Sequence, residues 1–212
     1  MKARKVKGLD PAGTLADNLE RIVRVRTDEL FAFMPRAADP GEVEHLHDMR
    51  IAAKRLRYIL EISEACFGPY AAAAAKRAKD VQDLLGEIHD ADVALPRLAD
   101  HESQALAADV AAVRGRAPDA KDLDPALAAD GPHADVYRGL AAMATYHRAR
   151  RELLFSRFLT LWQELGREGF RARLEFAITE RPPAPDRQDG TAPPRADGAS
   201  PTSAPPQTPP EP

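Results

Sequence analysis

Apolar residues recur every three or four positions along most of the first 180 residues, which is the spacing of one helix face. The pattern is clear in segment 10–34, where it falls on Leu15, Leu19, Ile22, Val23, Leu30 and Phe33. Alanine, leucine and arginine dominate and β-branched residues do not cluster, which also favours helices over strands. The chain is therefore predicted to be all-α, with long helices forming one or more antiparallel bundles.

Breaks rich in proline and glycine divide this pattern into successive helices. After the first helix, the predicted helices are Glu42 to Cys66, Tyr70 to Leu98, Ala134 to Gly166 and the short segment 170–178. Pro96 lies near the expected end of the third helix. Turn signals run through 101–132, which favours a short helix and a loop there.

Three parts of different composition follow one another along the chain: a basic arm over 1–10, a helical domain over 11–180 and a Pro-rich tail over 181–212. The tail has almost no apolar residues to bury and is expected to be disordered. No apolar run approaches the roughly 20 residues of a membrane span, and the basic start does not lead into a signal sequence. We therefore expect a soluble cytoplasmic protein without membrane contact.

The charges are unevenly distributed behind a formal net charge of −3. Two mildly basic helical regions flank an acidic middle at 76–135. Any attraction for a polyanion must therefore come from a local face and not from the whole protein.

The stretch HLHDMRIAAKRLRY, residues 45–58, concentrates cations on one side of the second helix. At about 100° per residue, His47, Arg50, Lys54 and Arg57 share a sector about 80° wide that borders the apolar face, while Arg55 points elsewhere. No carboxylate lies between Asp48 and Glu61 to relieve the repulsion. Two interpretations remain open: the stripe binds an anion, or it forms salt bridges with the acidic third helix.

The last long helix carries a comparable cationic group. His147 and Arg151 interrupt its apolar stripe, so Arg151 must meet a carboxylate, an anion or solvent. A salt bridge to the third helix is again the simpler alternative. His147, Arg150 and Arg157 also repeat the spacing of His47, Arg50 and Arg57.

The motif His47-x-x-Arg50-Ile51-x-x-Lys54-Arg55-Leu56-Arg57 resembles the signature of the CHAD family, the conserved histidine α-helical domain. LLGEIHDADV, residues 84–93, is similar to the second motif of that family, and the similarity spans roughly residues 5–180. The resemblance implies paired antiparallel helical bundles with a basic cleft that binds inorganic polyphosphate, without catalysis, metal or cofactor.

By this resemblance, and by the cationic patterns above, ten residues are predicted to bind polyphosphate: His47, Arg50, Lys54, Arg55, Arg57, His89, His147, Arg150, Arg151 and Lys76. The family also implies localisation at polyphosphate granules and partnership with a triphosphate-processing tunnel enzyme. Because the foldable part is short for two bundles, we expect that two chains could form a homodimer to complete the cleft.

Two alternatives belong to other functional classes. The dyads His47-Asp48 and His89-Asp90 are compatible with a metal-dependent phosphohydrolase of the HD type, although cations beside His47 would repel a metal. A basic groove could also bind nucleic acid, but the sequence lacks the interleaved aromatic residues on which bases stack.

Overall fold

The computed structural model describes residues 2–129 and 131–180, so the Pro-rich tail at 181–212 lies outside the described residues. Within these ranges the chain forms five α-helices and no strand. They are α1 (Leu15–Phe31), α2 (Val43–Phe67), α3 (Pro69–Arg116), α4 (Ala134–Arg167) and α5 (Phe170–Thr179). The all-α prediction is confirmed, and the predicted bounds of the second and last long helices agree with the structure to within one residue.

Side-chain contacts show that consecutive long helices run antiparallel. Between α2 and α3, His47 contacts His89 whereas the later Arg57 contacts the earlier Gln82. Between α3 and α4, Arg77 binds Glu168 whereas the later Asp109 binds the earlier Tyr137. The short α5 packs back against α1, where Phe170 stacks on Phe31 with ring centroids 6.1 Å apart. No helix in the described ranges is long and apolar enough to cross a membrane.

A single residue, Gly68, joins α2 to α3. Its φ of 73° and ψ of −165° are rarely adopted by residues with a side chain, so glycine permits the chain to reverse here. Pro69 then starts α3 at a position where its missing N–H has no helical partner to lose. Because the reversal is so short, α2 and α3 pack closely from this point onward.

The third helix differs from its prediction: it continues through Pro96 to Arg116 and spans 48 residues. The expected end near Leu98 and the separate short helix after His101 are therefore wrong. Proline removes one backbone hydrogen bond, and contacts to α4 hold the helix on both sides of that gap. Arg151 binds Asp92 before it, and Tyr137 and His133 bind Asp109 after it.

The core lies where α1, α2, α5 and the first part of α3 meet the second half of α4. The predicted apolar face of the second helix is confirmed, because Met49, Ala52, Ala53, Leu56 and Leu60 are all fully buried. In the first helix Leu19, Val23 and Leu30 are buried, as is Phe33 just after its end, whereas Leu15 is exposed at the first turn.

A small polar cluster closes the far end of the α3–α4 pair. The buried carboxylate of Asp109 accepts hydrogen bonds from the Tyr137 hydroxyl at 2.7 Å and from the His133 backbone N–H at 3.2 Å. Burial opposes ionisation of Asp109, but the hydrogen bonds from Tyr137 and His133 outweigh it and hold the Asp109 pKa below its usual value. Burial and the Asp109 carboxylate together raise the pKa of Tyr137 to about 12.

Gly131→Ala should destabilise this end of the molecule. A Cβ at position 131 would lie 2.4 Å from Asp109 Oδ2, so the carboxylate would have to leave its donors. Gly139→Ala is the matched control, because a Cβ there meets nothing within 4 Å and alanine is favoured in a helix by about 1 kcal/mol. Hydrogen exchange should show faster opening around 109–137 for the first variant alone, and equal exchange in both would contradict this account of the cluster.

Candidate anion-binding site

The cationic stripe of α2 lies along the side of that helix that faces α3. Burial of the Met49 and Leu56 face in the core fixes the rotation of α2, and His47, Arg50 and Arg57 then lie at its border with α3. Across from them α3 presents Gln82, Gly86 and His89 at helical spacing. We call this set of six residues the seam: His47, Arg50 and Arg57 on α2 and Gln82, Gly86 and His89 on α3.

His47 of the first motif and His89 of the second motif contact each other across the seam. Their ring centroids are 4.3 Å apart and tilted by 41°. The Nδ1 atom of each ring is buried and has no hydrogen-bond partner in the protein. Burial, followed by the nearby His89 and Arg50, lowers the pKa of His47 because each of these disfavours a second positive charge.

Arg50 packs against the backbone of α3 at Gly86. A Cβ at position 86 would lie 3.3 Å from Arg50 Nε, which is tighter than ordinary contact. Gly86 therefore lets the Arg50 guanidinium lie directly on the backbone of α3. This accounts for the glycine in the Leu-Gly pair of the second motif. Arg50 Nε is buried without a hydrogen-bond partner. Among residues 2–129 and 131–180, neither Arg50 nor Lys54 has an ion-pair partner.

Arg57 is partly compensated by its neighbours. Its Nη1 donates to Gln82 Oε1 at 3.2 Å, and its guanidinium lies 4.6 Å from the centroid of the Tyr58 ring. Its Nε is 2.9 Å from Glu61 Oε1, yet that buried N–H makes no hydrogen bond. We regard this contact as an ion pair at the solvent edge, since the Glu61 side chain is 48% exposed.

Two acids of α3, Glu87 and Asp92, bind arginines of α4 and not the stripe. Glu87 pairs with Arg150, and Asp92 Oδ1 accepts a hydrogen bond from Arg151 Nε at 2.5 Å. The salt bridge expected for Arg151 is therefore confirmed, and Arg151 also donates to the Pro40 carbonyl at 2.8 Å. For the stripe of α2, the interpretation as salt bridges to the third helix is wrong.

Sequence reasoning missed a buried carboxylate that accounts for Arg55. Glu29 on α1 is 1% exposed and is held by Arg26, by Arg55 Nη1 at 3.1 Å and by the backbone N–H of Arg4 at 3.2 Å. The sequence did contain one local indication of an ion pair at Glu29, because Arg26 lies three residues earlier on the same helix. Arg55 points away from the seam, as its projection predicted, and it neutralises a buried charge.

The remaining predicted residues are spread over other surfaces. His147 lines a groove between α3 and α4 together with His89, Arg97 and His101. Lys76 is exposed near the start of α3 and lines a separate groove with Arg77 and Arg173. The structure thus gathers His47, Arg50, Arg57 and His89, with Lys54 exposed beside them. It leaves the other five predicted residues outside the seam: Arg55, His147, Arg150, Arg151 and Lys76.

Metal ligands do not cluster in the parts of the chain that the structure describes. No group of three or more histidine, cysteine, aspartate and glutamate side chains there could hold a metal ion. The His47–His89 pair thus has no third ligand in those ranges, and the HD-type alternative gains no support from its two dyads.

Comparison with known proteins gives one match. The model of the CHAD domain matches residues 3–99, which contain α1, α2 and α3 as far as Ala99 and therefore the whole seam. The match ends well before residue 180, so α4 and α5 lie outside it. No curated protein and no solved structure matches the chain. A CHAD domain is consistent with a polyphosphate-related function in general, and residues 3–99 of this chain match the model of that family.

Proposed function

We propose that this protein binds inorganic polyphosphate through the seam and Lys54, without catalysis of its own. One observation carries the proposal. In the described residues, the buried side-chain nitrogen and oxygen atoms without a hydrogen-bond partner are His47 Nδ1, Arg50 Nε, Arg57 Nε and His89 Nδ1. All four belong to the seam, and all four are nitrogens that can donate to an anion when protonated.

Leaving such atoms unpartnered is costly for a folded protein. Each buried polar group without a hydrogen bond costs roughly 1–3 kcal/mol, although the ion pair with Glu61 offsets part of that cost at Arg57 Nε. Within residues 2–129 and 131–180 these atoms occur together only at the seam. Phosphate oxygens would satisfy these donors and offset the cost. The seam is therefore best explained as a surface that is completed by an anionic ligand.

The arrangement suits a linear chain of phosphates. Arg50, Lys54 and Arg57 follow one another at four and three residues on a rigid helix, so their head groups repeat along one line about 10 Å long. Guanidinium groups bind phosphate oxygens through two parallel hydrogen bonds. Polyphosphate has no bases or sugars, so such a line of cations is sufficient for its recognition.

Nucleic acid fits the same surface less well. Tyr58 directly follows Arg57 on α2, and the guanidinium of Arg57 already lies over its ring. Bases would thus find no free stacking partner beside the cations. Recruitment to polyphosphate granules, and association with a triphosphate-processing tunnel enzyme, follow as further proposals from the same binding.

Replacing Arg50 and Arg57 by alanine should weaken the binding of long-chain polyphosphate by about tenfold or more, since each charge-assisted hydrogen bond is worth roughly 1.5–3 kcal/mol. The change is measured by calorimetric titration at constant ionic strength. Arg114→Ala with Arg167→Ala is the matched control, because it removes the same net charge from exposed positions outside the seam. Equal affinity of the two double variants would show that only overall charge matters.

A second experiment separates the functional classes. The purified protein is titrated with polyphosphate, with random single-stranded DNA and with Mn²⁺, at several salt concentrations. The proposal predicts binding of polyphosphate in preference to DNA, with affinity that falls steeply as salt rises. Stoichiometric Mn²⁺ binding with phosphatase turnover would instead support an HD-type enzyme.

Polyphosphate affinity should rise as the pH falls below the usual histidine range. The free protein holds the His47 pKa low, and a bound polyanion raises it, so binding takes up a proton. For each such proton the affinity changes by up to about tenfold per pH unit between the free and bound pKa values. His47→Gln with His89→Gln should flatten this dependence, and an unchanged pH profile in that variant would count against the histidines.

The lowered pKa of His47 also makes the folded protein less stable in acid when no ligand is bound. Because the folded-state pKa of His47 is lower than its usual value of about 6.5, the unfolded chain binds the proton more readily. This residue therefore costs no stability above about pH 6.5 and reduces stability as the pH falls from there toward the lowered pKa. Thermal denaturation of wild type and His47→Gln should show this difference in acid alone, and saturating polyphosphate should remove it.

A further inference from the structure

The seam adjoins a groove between α3 and α4, and His89 belongs to both. The groove is lined by His89, Arg97 and His101 of α3 and by His147 of α4, among others. Its volume of about 760 Å³ lies within the range of pockets that hold one small molecule. Because the ring of His89 also contacts His47, the groove and the cations of α2 meet at this side chain. A ligand that is held by the seam can therefore extend into the groove.

Apolar side chains form half of the groove lining, which distinguishes the groove from the seam. Five of the ten lining residues are Val93, Ala94, Leu98, Leu140 and Met143. Met143 is 51% exposed and Val93 is 37% exposed, so this apolar surface is open to a ligand. The thioether of Met143 packs well against a flat ring. The groove therefore suits an organic group and not only an ion.

The charges in the groove argue against a chain of inorganic phosphates along it. Among the lining residues that the structure describes, Arg97 carries the one permanent positive charge, and the carboxylate of Asp90 balances it. Within residues 2–129 and 131–180 neither side chain takes part in an ion pair. Phosphates here would meet one cation, one anion and an apolar wall, and they would lose hydration without replacement. An uncharged group that offers hydrogen-bond donors fits better.

Asp90 and Arg97 indicate the chemistry of that group. A carboxylate accepts hydrogen bonds from hydroxyl and amino groups, and an acidic residue binds the ribose hydroxyls in many dinucleotide sites. A guanidinium stacks on flat rings. A nucleoside combines these features, because its sugar carries hydroxyl groups and its base is a flat ring.

We propose that the groove binds the nucleoside of a nucleoside triphosphate whose phosphates lie in the seam at His47, Arg50 and His89. The proposal rests on the proposed function, since the seam must bind phosphates. It goes beyond that function, because inorganic polyphosphate has no group that fills the groove. The groove is a site for one nucleoside and not a row of stacking sites, so it does not make the seam a nucleic-acid interface.

The test compares ATP with methyl triphosphate, which carries the same triphosphate ester without the nucleoside. Each is titrated calorimetrically into the full chain at low salt with EDTA. ATP should bind about tenfold more tightly, which is the usual contribution of packing one base. Equal affinities, or no binding of either triphosphate, would overturn this proposal. The proposed function fails separately, if long-chain polyphosphate does not bind.

Met143→Asp should remove most of the advantage of ATP over methyl triphosphate, because it places a carboxylate against the base. Leu153→Asp is the matched control, since it adds the same charge on α4 at a residue that is 61% exposed and lines a different groove. The control should keep the wild-type ratio of the two affinities. Equal ratios in the two variants would overturn the proposal.

Asp90→Asn should lower the same ratio from the other side of the groove. The amide is a weaker acceptor for the nucleoside, whereas methyl triphosphate should bind at least as tightly as to wild type because a repelling charge is gone. Circular dichroism checks that helix content is equal in all variants. A parallel loss of affinity for both triphosphates would contradict the role given to Asp90.

Discussion

The close approach of α2 to α3 is the constraint on which the rest of this structure depends. Gly68 reverses the chain within one residue, and Gly86 removes the Cβ that would hold Arg50 off the neighbouring helix. The rings of His47 and His89 then come within 4.3 Å of each other. This geometry places positive and potentially positive groups where solvent is partly excluded, and it leaves four of their nitrogens without a hydrogen bond in the described residues.

The cations near the α2–α3 contact differ in whether they have an ion-pair partner. Two cations of the motifs and helices around the seam are neutralised within the protein, Arg55 by Glu29 and Arg151 by Asp92. Arg50 lacks such a partner in the described residues. Since a buried ion pair stabilises a fold only when its partners satisfy each other, the missing partner of Arg50 supports the proposal that the seam is a binding surface whose cost is offset by its ligand.

The sequence predicts the parts of this structure that depend on local periodicity. The helix α2, its buried face and the grouping of Arg50 and Arg57 all follow from positions counted at 100° per residue. The projection also separates Arg55 from the stripe. The two motifs lie on helices whose apolar faces are regular, which is why His47, Arg50, Arg57 and His89 could be named in advance. Gln82 and Gly86, the other members of the seam, were not among the predicted site residues.

Other features depend on contacts between distant segments and could not be predicted in this way. Pro96 signals the end of a helix, yet partners on α4 hold α3 together beyond it. Whether Arg151 forms a salt bridge depends on whether Asp92 faces α4, and the projection of one helix does not determine this. Similarly, Glu29 binds Arg26 on its own helix and Arg55 on the next one, and the second contact depends on how the two helices pack.

The most direct test of the central claim observes the unpartnered nitrogens themselves. A ¹⁵N-edited NMR titration follows the Arg50 and Arg57 Nε–H signals and the ring nitrogens of His47 and His89 as polyphosphate is added. The account predicts saturable shifts of all four groups at one common affinity, with small changes at exposed cations such as Arg167. Saturation of binding with the four seam signals unmoved would contradict it.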